Sequence, residues 1–259
     1  MKLSSEERKQ GRLSHQSLSS IVNQVRVNGY SVIEEFYEKD TIRQWHEAYL
    51  KLFQPFVEKT RTTNSNGHYR MDLPFEAPFV EEELVAHPMV LQVMEALLGE
   101  DCICQYLASN TCLPGSGYQD IHSDLHPLYP EADITLPPAA IVLNIALVDF
   151  REDNGPTEIW PGGTHLIPES MNRPELITET AQRMESIHIT MPAGSISMRD
   201  LRMWHRGVPN HSNEPRPMIS IVYFRHWFGA EPLCIPKERY EGFAPSVKRL
   251  FRKAMFIES

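Results

Sequence analysis

Residues 120–126 read DIHSDLH. The imidazole of His122 and the carboxylate of Asp124 stand two residues apart, and on an extended segment that spacing puts both side chains on one face. The pair offers two arms of a metal site and needs a third. Of the eleven histidines in the chain, His165 in PGGTHLIP and His205 in RDLRMWHRGVPN are the downstream candidates. His205 follows a strand-and-turn segment, and Arg216, eleven residues further on, leads into the strand-like run MISIVYF. Two imidazoles and one carboxylate form a facial set that suits Fe(II) and leaves three coordination positions for a bidentate co-substrate and dioxygen. A dianionic 2-oxo acid held by iron at one end needs a cation for its far carboxylate, and the planar guanidinium of Arg216 could supply it. Singly, each residue has an ordinary reading. HxD arises by chance, a histidine after Trp204 can be buried and satisfied, and an arginine beside Glu214 and two prolines can be a solvated turn residue. It is the conjunction, in this order and spacing around a β-rich core, that points to a metal site.

Those groups need elements to hold them. The first third of the chain reads as mainly helical with one strand inserted. LSSIVNQVRVNGY carries Leu18, Ile21, Val22 and Val25 at helical spacing, and Gly29 stands where that helix would stop. YSVIEEF alternates as a strand does. Asp40 is placed to cap TIRQWHEAYLKLFQPFVEK, where Ile42, Trp45, Tyr49, Leu52 and Phe53 recur on one face. Thr60 to Pro78 turns polar and Gly/Pro-bearing, as a loop does, and HPMVLQVMEALLGED is an amphipathic helix ended by Gly99. After residue 100 the rhythm changes to short β-like runs between Pro/Gly-rich turns: CICQYLA, AAIVLNIALVDF, SIHITMPA, SISMRD and MISIVYFRHWF. That is the rhythm of a sandwich or barrel, not of alternating βα units. It predicts a jelly-roll core covered by N-terminal helices. Residues 168–185 interrupt the strands and read as a surface insertion with a short helix. The expected organisation is a single domain over 1–259, with a flexible 1–17, a mainly helical layer over 18–100, the β core over 101–228 and a C-terminal extension over 229–259.

Composition narrows the partners. An apolar fraction of 41% and a charged fraction of 23% are ordinary for a globular protein. The net charge of −9 repels phosphate backbones, and the longest basic stretch is a piece such as VKRLFRK, so no nucleic-acid partner is expected. The N-terminal MKLSSEERKQGRLSH has no apolar segment of the secretory kind, and no stretch approaches the roughly 20 apolar residues of a spanning helix. A cytoplasmic protein with no membrane partner is the expectation. Cys102, Cys104, Cys112 and Cys234 would then be reduced packing thiols, since none falls in a CxxC knuckle. Oligomeric state is not readable from the sequence.

Several stretches together resemble one known family: NGYSVIEEF near the start, LLGED before the core, QDIHSDLHP with its HxD, DNGPTEIWPGGTH in the middle and WHRGVPNHSNEPRPMISIVYF downstream. In this order, over about residues 18–228, the chain resembles the phytanoyl-CoA dioxygenase-like branch of the Fe(II)/2-oxoglutarate-dependent oxygenases. The resemblance implies a double-stranded β-helix of the cupin-like jelly-roll kind. It implies His122, Asp124 and His205 as iron ligands and catalytic residues, Arg216 as the anchor of the far carboxylate of 2-oxoglutarate, and Fe(II), 2-oxoglutarate and O2 as cofactor and co-substrates. His165 falls in the family's PGSH-like segment, which packs near the site without ligating; here PGGTH carries an extra residue. Asp124 is present where halogenating relatives have a small residue, so hydroxylation or a related oxidation such as dealkylation is implied, with release of succinate and CO2.

Around this centre, Asn144 and Gln105 are polar residues within apolar strands, and an inward amide could bind co-substrate or water; a solvent-facing position is the equal alternative. Arg206 is a candidate contact for an anionic substrate group. Trp204, beside a ligand, serves either as packing or as a binding plate. HPLYPEADITLPP (126–138) has the composition of a mobile lid, and TTNSNGHYRMDLPFEAPF would cover the site from the other side. Glu131, Asp133 and Asp72 hint at a substrate with a cationic or polyhydroxylated part, such as an amino acid derivative or small natural product; a fatty acyl-CoA would find little positive charge for its phosphates. Two rivals remain: a non-catalytic cupin-like small-molecule binding protein, and a zinc or manganese enzyme using the same triad. Arg216 separates the second, because a hydrolase has no use for a guanidinium there.

Overall fold

The structure, a computed structural model, describes residues 1–60, 66–229 and 231–258. The chain opens with two helices, α1 (Ser5–Gln10) and α2 (His15–Asn28), followed by β1 (Tyr30–Ile33), α3 (Lys39–Thr60), β2 (His68–Asp72), α4 (Glu82–Val85) and α5 (Pro88–Leu98). The strand-rich part then runs β3 (Ile103–Cys112), β4 (Ala140–Ala146), β5 (Thr157–Ile159), α6 (Pro174–Ala181), β6 (Ile187–Ile189), β7 (Ile196–Asp200), β8 (His205–Gly207) and β9 (Arg216–Phe224). It closes with β10 (Cys234–Pro236), α7 (Lys237–Glu241), α8 (Pro245–Leu250) and β11 (Met255–Ile257).

Local chemistry sets these boundaries. Ser4 and Glu7 form a reciprocal capping box that starts α1. Ser14 caps α2, and Gly29 ends it in the left-handed region at φ 84°. Gly29 is required twice over, because a Cβ there would lie 2.8 Å from Nδ1 of His165. Three expectations are corrected. Residues 1–17, expected to be flexible, hold α1 and bury Leu3 and Leu13. Asp40 lies in the first turn of α3 and is not its cap. The stretch Thr60–Pro78, expected to be a loop, contains β2, whose Tyr69 and Met71 alternate inward while His68, Arg70 and Asp72 read as polar. Residues 62–65 of the supposed covering segment lie outside the described residues.

Two antiparallel sheets make the core. The larger has the order β1-β7-β4-β9-β3-β2, the smaller β6-β5-β8. Alternation assigns the faces of the larger sheet. Ile141, Leu143 and Ile145 of β4, Ile196 and Met198 of β7, and Ile219, Ile221 and Tyr223 of β9 join a buried cluster with Ile21, Val25, Trp45, Leu84, Val93 and Leu97 from the helices. The helical layer therefore seals one face. On the other face, Ala146 and Met218 pack with Ile159, Ile189 and Met203, which belong to the smaller sheet or border it, so the two sheets face each other. This is the jelly-roll, double-stranded β-helix arrangement that the strand rhythm and the motifs predict. In the insertion 168–185, α6 is pinned by buried Ile177 and Ala181. Cys102, Cys104 and Cys112 are buried packing thiols, but Cys234 is exposed. Among the described residues no helix is long and apolar enough to cross a membrane.

Candidate metal centre

His205 opens β8, and the segment carrying His122 adds to the same small sheet by one bridge. The His122 N–H donates to the His205 carbonyl and the His205 N–H to the His122 carbonyl, both at 3.0 Å. Two residues on, the Asp124 N–H donates to the carbonyl of Leu201 at 3.0 Å. The turn into β8 is tied by Asp200, whose carboxylate accepts from the Arg202 backbone at 3.0 Å and pairs with its guanidinium at 2.8 Å. Backbone hydrogen bonds thus hold all three side chains at one point: His122 Nε2 lies 3.6 Å from Asp124 Oδ1, His205 Nε2 lies 3.3 Å from Asp124 Oδ2, and the imidazole centroids are 4.3 Å apart. Among the described residues, this triad is the group of three whose donor atoms all fall within 4.8 Å of one another.

The tautomers suit a metal. His122 Nδ1 lies 2.7 Å from the Asp120 carbonyl and His205 Nδ1 lies 3.2 Å from that of Met203, so each Nδ1 carries the proton and each Nε2 presents a lone pair to the common point. Burial, reinforced by the nearby Arg199 cation, pushes the His205 imidazole down to about 3, leaving it neutral as a ligand must be. Burial opposes the charge of Asp124, but the Arg199 guanidinium, which donates to its Oδ2, outweighs it and holds the carboxyl below the usual carboxylate range. That side chain is 35% accessible and lines a cavity.

Residues 25–218, most of the chain, match the family described as Phytanoyl-CoA dioxygenase (PhyH). The chain belongs to the PhyH family. It is 25% identical over 186 residues to "Dioxygenase aneA" of Aspergillus aculeatus, an alignment covering 69% of this chain and 60% of that protein. The chain thus spans less than two thirds of the length of that curated relative. Among solved structures it is similar to AviO1 from Streptomyces viridochromogenes Tue57, with TM-score 0.64, 16% identity and coverage of 85% of this chain and 100% of that one. It is also similar to the non-heme alpha ketoglutarate dependent carbocyclase SnoK from nogalamycin biosynthesis, with TM-score 0.61, 17% identity and coverage of 82% and 84%. At these identities the structural likenesses establish the fold.

In this PhyH protein the triad shares a cavity of about 730 Å³ with Arg216 and Asn144. Arg216 is buried at the start of β9; its Nε donates to the Gly155 carbonyl at 2.8 Å, its guanidinium lies 4.7 Å from the centre of the Phe150 ring, and its Nη1 is buried with no partner. Burial disfavours that charge and lowers its pKa, so an entering anion would relieve it. Asn144 joins a chain in which Asn110 Nδ2 donates to Ser220 Oγ at 2.9 Å and Ser220 Oγ donates to Asn144 Oδ1 at 2.7 Å. An unpartnered guanidinium nitrogen beside an amide and hydroxyl chain, in one cavity with two imidazoles and a carboxylate, fits a metal and a dicarboxylate co-substrate.

Three candidates lie elsewhere. Arg206 follows His205 by one residue and so points to the opposite face of β8, where its Nε donates to Glu158 at 2.6 Å and its guanidinium sits 4.3 Å from the Tyr118 ring centre. Trp204 packs with Trp160, Ile177 and Ala181 under α6. Gln105 is the extra residue of a β-bulge between Cys104 and Tyr106 and does not line the cavity. His165 is buried, with Nε2 3.0 Å from the Arg26 carbonyl, and belongs to the contact with α2. Sequence reasoning passed over Arg199. It faces inward from β7 and is buried, with Nη2 2.6 Å from Asp124 Oδ2 and 3.2 Å from His205 Nε2. The available signal was a charge on the same face as Ser197, in a short strand whose other face begins with Ile196 and Met198.

Proposed function

We propose that the chain is a non-haem Fe(II)- and 2-oxoglutarate-dependent dioxygenase that hydroxylates or oxidatively dealkylates a small molecule, an amino acid derivative or a natural product. The observation that carries this reading is the joint placement, in one cavity, of a convergent triad whose two Nε2 atoms face the Asp124 carboxylate and a buried arginine with an unpartnered Nη1. The dioxygenase name of the Aspergillus relative supports the reaction class, and the words "non-heme alpha ketoglutarate dependent" and "nogalamycin biosynthesis" attached to SnoK support the co-substrate and the natural-product setting.

His122, Asp124 and His205 would hold Fe(II), and Arg216 would hold the far carboxylate of 2-oxoglutarate. Together with dioxygen, the bound Fe(II) and 2-oxoglutarate would supply an oxidant strong enough to break a C–H bond, with oxidative decarboxylation of the co-substrate to succinate and CO2. The residues do the positioning. The reciprocal backbone bridge fixes the imidazole separation, Arg199 holds Oδ2 of Asp124, and Arg216, braced by Gly155 and Phe150, offers its free edge to an anion.

The test is an anaerobic titration of metal-free protein with Fe(II) and then 2-oxoglutarate, following the visible charge-transfer band of an iron-chelated 2-oxo acid. The band is expected in the wild type, absent in His205→Ala, and shifted in Arg216→Ala to at least roughly tenfold higher 2-oxoglutarate, since a charge-assisted double contact is lost. Metal binding without the band in the wild type would refute the oxygenase reading in favour of a zinc or manganese enzyme or a binding protein.

A further inference from the structure

The cavity changes character along its strands. Its inward positions on β9 run Arg216, Met218, Ser220, Val222 and Phe224, and those on β4 run Asn144, Val142 and Ala140. Arg199, in contact with Asp124, pairs with Val142, which pairs with Val222, so the triad sits at the level of these valines. On the Arg216 side lie the Asn110–Ser220–Asn144 hydrogen bonds. On the other side Leu125, Leu201, Phe224 and Phe228 cluster, with Leu128 against them, and all five line the cavity. Phe224 and Phe228 stack with centroids 5.2 Å apart and planes inclined by 25°, giving a flat aromatic wall.

Charge is arranged against a cationic guest. Asp72, Glu131 and Asp133 do not line the cavity; Asp72 pairs with Arg70 at 3.1 Å on the exposed rim, and Asp133 accepts from Ser170 at 2.8 Å. Among the described residues Asp124 is the single carboxylate in the lining, already engaged by Arg199. Arg70, over the Tyr106 ring at 4.6 Å, adds a further positive group at the rim. A free amine entering the cavity would find no unpaired acid, because Asp72 is taken by Arg70 and Asp124 by Arg199. The volume of about 730 Å³ falls in the range of about 300–1,000 Å³ that holds a drug-sized ligand.

We propose that the end of the cavity walled by Leu125, Leu128, Leu201, Phe224 and Phe228 binds an uncharged, ring-bearing hydrocarbon part of the substrate. Its catalytic meaning rests on the oxygenase reading; its binding chemistry does not. Within the two substrate types named above, this selects a neutral polycyclic or aromatic natural product and sets aside a cationic amino acid derivative. Substrate rings slide against the Phe224–Phe228 wall while the polar end is left to the co-substrate.

The experiment is a calorimetric titration of the whole metal-free protein with 2-naphthol, a neutral two-ring probe, in the presence and absence of 2-oxoglutarate and of agmatine, a cation. Saturable naphthol binding is expected, undisturbed by either competitor. It should weaken at least fivefold in Phe228→Ala and in Leu128→Ala, two partly exposed loop positions whose folding is checked by thermal melting. Displacement of naphthol by agmatine, binding unchanged in both variants, or no binding to the folded wild type would each overturn the proposal. The same preparation carried through the Fe(II)/2-oxoglutarate titration separates the two readings. Naphthol binding without the visible band removes the oxygenase and leaves the apolar arm, and the band without naphthol binding removes only the arm.

Discussion

The larger sheet is built from strands such as the ten-residue β3 and nine-residue β9, whose outward side chains are sealed beneath helices. Each strand of the smaller sheet has three residues, and its contribution to the centre is His205 together with the edge on which the His122 segment docks. Stability and chemistry are therefore held by different parts of one sandwich. The long strands supply apolar burial and cross-strand pairing; the short ones fix the side chains of the candidate metal triad by a few backbone hydrogen bonds. The larger sheet still reaches the centre, through the inward cations Arg199 and Arg216.

This division can be broken from either side. The largest effect is expected for Ile221→Ala, a fully buried residue on the helix-facing side of β9. It should cost roughly 3 kcal/mol, or roughly 10 °C in Tm, and leave the metal-binding midpoint of the folded protein unchanged. A joint loss of metal affinity would mean that the two sheets are not separable. Asp124→Asn should do the reverse. It keeps a partner for Arg199 but removes the anionic ligand, lowering divalent metal affinity at least ~100-fold in calorimetry while the urea midpoint moves little.

A third prediction lies in the helical layer. His87 is buried, its Nδ1 accepts the Met89 N–H, and burial lowers its pKa to about 4 from the ordinary 6.5. Below pH 6.5 the unfolded chain takes up a proton that the folded one refuses until about pH 4. Stability is thus complete above that window and falls as pH drops through it, by on the order of 2–3 kcal/mol. Urea melts of the wild type and His87→Gln should converge toward pH 4; parallel curves would refute the assignment. The smallest effect concerns Arg199→Gln, which keeps a donor for Asp124 and removes a cation from beside the ligands. Metal binding is expected to tighten about tenfold. Weaker binding would mean that orientation of the carboxylate outweighs charge.

Spacing exposed the triad and Arg216 in the sequence because the chemistry expected of them restricts residue types severely: His-x-Asp shares a face on an extended segment, and a dicarboxylate co-substrate would need a guanidinium. The helices carrying Ile21, Trp45 and Leu97 were legible from their period. What escaped was parity and register. Arg206 looked available until the two-residue period of β8 turned it away from His205. Gln105 sits on a bulge that interrupts the alternation used to orient it. β2 reads as a loop in the sequence because its apolar content is only Tyr69 and Met71 between polar neighbours. The acids of the 126–138 segment suggested a cationic substrate, but a loop's composition does not say which of its side chains turn inward.

The reciprocal bridge between His122 and His205 ties the two imidazoles together across more than eighty residues of sequence. Everything between them, including the 126–138 segment and the α6 insertion, leaves from and returns to the same clasp. Lengthening, shortening or exchanging those segments changes what surrounds the triad without changing the distance between its imidazoles. The fold is thereby open to variation in the guest it accepts while the geometry of the triad stays fixed.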